Sequence, residues 1–91
     1  MNTDFKTSFL HDIKKVKDKS LLPKVKQAIL DVEKAATKQD IPELRKLKGN
    51  KKGIYYRIKI DHYRIGVTIE NNMATFVVFL PCKDIYKFFP R

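Results

Sequence analysis

The sequence predicts an α+β domain in which an antiparallel β-sheet of about four strands packs on an N-terminal helical hairpin, with residues 1–91 forming one domain. Three observations predict it. Between Phe9 and Ala36 the apolar residues recur at the three- and four-residue steps of helix faces. From Ile54 to Leu80 they alternate with polar residues instead, as in strands with one buried face. Finally, 91 residues, 43% of them apolar with only three glycines and four prolines, supply one modest core rather than two.

Asn2–Lys6 is short enough to be an edge strand. Thr7 or Ser8 can cap a first helix whose apolar positions are Phe9, Ile13 and Val16, with Lys14, Lys15 and Lys17 pointing elsewhere. Asp18-Lys19-Ser20 is a polar break. A second helix is expected to begin near Pro23, because a first-turn proline loses no hydrogen bond. Leu22, Val25, Ile29, Val32 and Ala36 form its single apolar stripe. Two helices joined by so short a break predict an antiparallel pair. The stripe is too short for a sustained coiled coil and is read as a face packed on a sheet. Thr37–Asn50 reads as a connector anchored by Ile41, Leu44 and Leu47, with Gly49-Asn50 ending any local helix. Arg45, Lys46, Lys48, Lys51 and Lys52 make this region strongly basic.

The strand register follows from the alternation. Ile54, Tyr56, Ile58 and Ile60 form one apolar set, and Tyr63, Ile65, Val67 and Ile69 form the next. A two-residue loop at Asp61-His62 pairs Ile60 with Tyr63, and therefore Lys59 with Arg64 and Arg57 with Gly66. Both apolar sets then share a face. Like charges sit opposite each other at about 5 Å, which is destabilising. Three cations around a position without a side chain suit a bound phosphate; a solvated basic face is the alternative. Asn71-Asn72 is a second two-residue turn. It leads into Met73–Leu80, apolar on both faces and so a doubly covered central strand. The continued register puts Ala74, Phe76, Val78 and Leu80 in the core. Val77 and Phe79 then lie beside the cations, suited to base stacking or to a partner's apolar side chains, with the C-terminal segment covering part of this face. Pro81 ends the strand, leaving Lys83 and Tyr86 on a loop or short terminal turn, while Phe88 and Phe89 are packing residues.

The net charge of +10 implies an anionic partner: nucleic acid, anionic lipid or an acidic protein. Cys82 is the one cysteine, so no internal disulfide forms, and it is read as a packed thiol rather than a nucleophile. His11 and His62 lack partners at metal-ligand spacing, and no glycine-rich phosphate loop occurs. Without a signal-like or membrane-spanning apolar run, the chain is expected to be cytoplasmic, with no membrane partner.

Leu44–Gly49 (LRKLKG), Tyr56–Ile60 (YRIKI), Tyr63–Gly66 (YRIG) and Lys83–Tyr86 (KDIY) follow one another after a helical hairpin. In that order they resemble the RelE/ParE superfamily of toxins from bacterial and archaeal toxin–antitoxin pairs. Each short motif is weak alone; the ordered set is specific. The resemblance implies the sheet-on-hairpin fold described above and a ribosome-dependent endoribonuclease, an mRNA interferase that blocks translation. Such an enzyme cuts by attack of a ribose 2′-OH on the adjacent phosphate. It needs a group to take the 2′-OH proton, cations for the developing charge, and a donor for the leaving oxygen.

Carried over by position, Lys59 is the candidate base, since crowding by cations favours a neutral lysine whereas arginine stays charged. Arg64 holds the scissile phosphate, Arg57 stands beside Lys59, and Tyr86 stacks on or orients the nucleotide. The His-Arg run that many members carry before Asp-x-Tyr is replaced here by Pro81-Cys82-Lys83, leaving Lys83 to supply charge and proton. Lys48, Lys51, Lys52 and Phe79 join Arg57 as substrate-binding candidates. No cofactor and no metal are expected. The implied partners are the ribosome with its mRNA and a cognate antitoxin, an acidic or amphipathic segment masking the cationic face in a hetero-oligomer. Two alternatives stand: a ParE-like poison of DNA gyrase, which need not keep the cationic trio and terminal tyrosine, and a non-catalytic RNA- or ribosome-binding protein of the same fold.

Overall fold

The computed structural model describes residues 1–48 and 52–89, so the expected stop at Gly49-Asn50 and the candidate Lys51 lie outside the described residues. The element order is β1 (Asn2–Phe5), α1 (Thr7–Lys15), α2 (Leu21–Lys34), a 3-10 turn (Lys38–Asp40), β2 (Leu44–Lys46), β3 (Tyr55–Ile60), β4 (Tyr63–Glu70), β5 (Met73–Pro81) and α3 (Cys82–Phe88). The class is α+β, as expected, but the sheet is larger than the expected four strands and is mixed. Among the described residues it has five strands in the order β1-β5-β4-β3-β2, and β1 runs parallel to β5. The additional strand is β2, which lies in the region read as a connector.

Each N-terminal helix packs on the sheet, α1 against β5 and α2 against β3 and β1. Helix α2 starts at Leu21, so Pro23 falls in its first turn, where backbone N–H groups have no helical partner to lose. Its buried face is Leu21, Val25, Ala28 and Val32, continued by Ala35. The expected stripe is therefore rotated: Leu22 and Ile29 are half-buried and Ala36 is exposed. At the break before it, the Ser20 hydroxyl and amide donate to Asp18, holding that carboxyl below its ordinary range.

Neither Thr7 nor Ser8 caps α1. Ser8 is engaged elsewhere, and the reason lies in β5. Pairing with β1 stops at Phe5 and Phe76, after which the Lys6 N–H donates to the Phe76 carbonyl. The remainder of β5 is an edge that α1 covers. The Ser8 hydroxyl donates to the Val77 carbonyl, and the Asp12 carboxylate accepts from the Phe79 N–H at 3.0 Å. Polar side chains of a helix thus satisfy strand groups that would otherwise be orphaned.

The β3–β4 hairpin has the expected register: Ile60 faces Tyr63, Lys59 faces Arg64 and Arg57 faces Gly66. The following turn is built by Asn71 and Asn72, both at positive φ (51° and 61°), as a mirror-image hairpin turn requires. Along β4 and β5 the expected register then fails. Gly66 pairs with Val78 and Val67 with Phe76, so Val77 is the extra residue of a β-bulge. Beyond it the faces exchange. Phe79 enters the core, 2% exposed and stacked on Tyr63 with ring centroids 4.7 Å apart. Val78 and Leu80, expected inside, lie on the outer face with Gly66 and Arg64.

Two apolar clusters result. The main one lies between the sheet and α1/α2 and includes Phe9, Val32, Ile58, Ile65, Val67 and Phe76. The smaller one covers the outer face, where Leu47, Ile85 and Phe89 are buried against Tyr55, Val77, Val78 and Leu80. The second exists because residues after Pro81 form α3 rather than the expected loop or turn. Pro81 ends β5 and precedes the helix, where a missing N–H costs nothing. Of the two terminal phenylalanines expected to pack, Phe89 is buried and Phe88 is 43% exposed.

Candidate functional site

The outer face of the sheet is where strand pairing concentrates charge. Side chains of paired residues point to the same side of a sheet. One cross-strand row therefore reads Arg45, Arg57, Gly66 and Val78, and the next reads Lys59, Arg64 and Leu80. Two like-charge pairs sit side by side, Arg45 with Arg57 and Lys59 with Arg64. The sequence does not mark Arg45 as a site residue, because a three-residue strand has too little alternation to read. The signal is the step from Leu44, packed on the main core, to exposed Arg45.

Lys59 is exposed; Arg57 and Arg64 are half-buried. The Arg64 guanidinium is folded back on the hairpin turn, with Nη1 donating to the Asp61 and Tyr63 carbonyls at 2.9 and 2.8 Å. The same turn is tied to α2 by the Lys24–Asp61 ion pair at 2.6 Å. Both bonds come from Nη1, one of the three guanidinium nitrogens that carry N–H donors. Lys48 and Lys52 are exposed on the connection between β2 and β3.

Helix α3 crosses this face. The Cys82 N–H donates to the His62 carbonyl at 2.7 Å, so the helix starts at the end of the sheet that carries Lys59 and Arg64. Ile85 points into the sheet with no exposure. Helical spacing sets Tyr86 and Phe88 on opposite flanks of it. Phe88 lines a groove of about 380 Å³ with Lys6, Ser8, Tyr55, Thr68 and Val77, which reaches from α1 and β5 across to β3. Tyr86, 63% exposed, lies on the other flank of the helix. Lys83 is exposed one turn before Tyr86.

Three expectations are corrected. Cys82, expected to be a packed thiol, is exposed. Phe79 offers no stacking surface, because the bulge at Val77 turns it into the core. The space expected above Gly66 is occupied: a Cβ there would lie 2.6 Å from Val78 and 2.8 Å from the Phe89 ring. The partial cover expected from the C-terminal segment is present, and Phe89 supplies it. Among the described residues, no group of His, Cys, Asp and Glu is arranged to hold a metal ion, and no helix is long and apolar enough to cross a membrane.

The paired cations are bordered by a helix bearing a lysine and an exposed tyrosine. This small basic α+β architecture is that of the toxins of type II toxin–antitoxin pairs. No family model matches the sequence. Direct comparison finds similarity to Toxin RelE3 of Methanocaldococcus jannaschii, 30% identical over 99% of this chain and 100% of that one. The chain belongs to the RelE family of toxins. Its fold is similar to a chain in the RelB-RelE antitoxin–toxin complex from Methanococcus jannaschii, with a TM-score of 0.77, 28% identity and coverage of 96% of this chain and 99% of that one. The Staphylococcus aureus YoeB dimer has the same fold, with a TM-score of 0.70, 22% identity and coverage of 88% and 94%.

Proposed function

We propose that this toxin blocks translation as a ribosome-dependent mRNA endonuclease held inactive by an acidic or amphipathic antitoxin segment. The observation that carries the reading is the doubled like-charge pairing, Arg45 against Arg57 and Lys59 against Arg64. Each pair costs folding stability, and a polyanion on that face removes the cost. In this reading Lys59 accepts the proton of the ribose 2′-OH. Arg57 and Arg64 hold the scissile phosphate and offset the charge that grows on it. Lys83 donates a proton to the leaving 5′-oxygen, and Tyr86 stacks on the nucleotide. Lys48, Lys51 and Lys52 guide the strand. The RelB-RelE structure is a toxin–antitoxin complex, which supports an antitoxin partner that covers the same cations.

The test is controlled expression with mapping of mRNA 5′ ends, comparing the wild type with Lys59→Ala, Arg64→Ala and Tyr86→Ala. Cleavage by the wild type is expected, with Lys59→Ala and Arg64→Ala each lowering its rate by about 10²–10⁴-fold, the range for loss of an acid–base or charge-stabilising group, and Tyr86→Ala by about 5–150-fold, the range for a lost base–aromatic stack. Toxicity with intact mRNA overturns the reading, and supercoiling defects in its place identify a gyrase poison. Normal cleavage by Lys83→Ala removes Lys83 from the mechanism.

A further inference from the structure

Resting on the ribonuclease reading, we propose that Phe89, seated against Gly66, is a positioning residue that holds α3, and with it Tyr86 and Lys83, over the cationic rows. Gly66 stands between Arg57 and Val78 in the sheet. Its φ is not in the left-handed region, so the backbone does not call for glycine there. The space above it does. An added Cβ would meet Val78 Cγ2 at 2.6 Å and the Phe89 ring at 2.8 and 2.9 Å, closer than side chains pack. Phe89 is 3% exposed and meets Tyr55 edge-on, with centroids 5.4 Å apart.

Helix α3 is seven residues long, too short to persist without tertiary contacts. It is pinned at both ends. Cys82 bonds to His62 at its start; at its end the Phe89 N–H bonds to Ile85 while the ring fills the Gly66 seat. Tyr86 lies between the pins. Removing the Phe89 ring frees the last turn and leaves Arg57, Lys59 and Arg64 on their strands. Binding of the RNA phosphates should then persist while turnover falls.

The test is single-turnover cleavage on programmed ribosomes across a range of ribosome concentrations, for Phe89→Ala, Phe89→Leu and Gly66→Ala. A spin label on Lys87→Cys, made in a Cys82→Ser background so that it is the one thiol, reports in separate samples whether the last turn of α3 is docked. Phe89→Ala and Gly66→Ala should lower the saturating rate by about a hundredfold, the scale of a 1 Å misplacement. The half-saturating concentration should stay within about twofold, and the label should become mobile. Phe89→Leu should restore most of the rate. An unchanged saturating rate in both Phe89→Ala and Gly66→Ala overturns the proposal, as does a rise in half-saturation that matches the fall in rate. Where Phe89→Ala fails to fold, Gly66→Ala decides. A wild type that leaves mRNA intact removes the ribonuclease reading, and the label then judges the seat alone: immobile in Gly66→Ala, the seat is refuted; mobile, it stands.

Discussion

Asp12 and Phe79 meet across 67 positions of sequence, and that contact decides which side chains the site contains. The Asp12 carboxylate accepts the Phe79 N–H just beyond the extra residue Val77, holding β5 in the phase that buries Phe79 and presents Val78 and Leu80 outward. Asp12→Ala leaves the amide unpaired in a half-buried place and should cost about 1–3 kcal/mol. Asp12→Asn, which keeps an acceptor oxygen, should cost less. Phe79→Ala should cost about 3–5 kcal/mol, the range for emptying a buried aromatic site. Denaturant unfolding measures all three. RNA affinity of whatever fraction stays folded should be unchanged in Phe79→Ala; a loss would return Phe79 to the substrate-binding residues.

Among the elements, β2 is the shortest strand, and its charge opposes its pairing. Arg45→Glu converts the Arg45–Arg57 repulsion into attraction and should stabilise the fold by about 0.2–1 kcal/mol. It should also weaken RNA binding, because one cation is lost and a second becomes occupied. A thermal melt beside a binding titration checks both signs, and a variant both less stable and tighter-binding would contradict the pairing.

The β3–β4 hairpin was legible in the sequence because strict alternation and a two-residue loop leave one register that keeps both apolar sets on one face. That placed Lys59, Arg64, Arg57 and Gly66 relative to one another. The bulge was not legible: Met73–Leu80 is apolar on both faces, so one inserted residue leaves no mark on its pattern. Helix α3 was hidden by Pro81, which reads as a breaker yet stands just outside the helix. The parallel partner of β1 depends on a crossover through the intervening elements, and no local pattern announces it.

The whole molecule measures 33 × 28 × 22 Å and carries a net charge of +10. At 0.01 M salt the Debye length is about 30 Å, so every charge acts on every other across the fold; at 0.15 M it is about 8 Å, and only neighbours interact. Self-repulsion at low salt therefore opposes the compact state, and screening relieves it. The melting temperature should rise between those salt concentrations by several degrees, since about 1 kcal/mol moves a domain of this size by ~4–8 °C. RNA affinity should move the other way, with a slope of log K on log salt of about −0.7 per phosphate contacted on a single strand. The opposed signs identify the cations as the shared cause. Arg45→Glu should flatten both dependences together, whereas Lys14→Glu, on α1, should flatten the melting dependence and leave the RNA slope intact. Equal effects of the two substitutions on the RNA slope would mean that binding follows net charge rather than the sheet face.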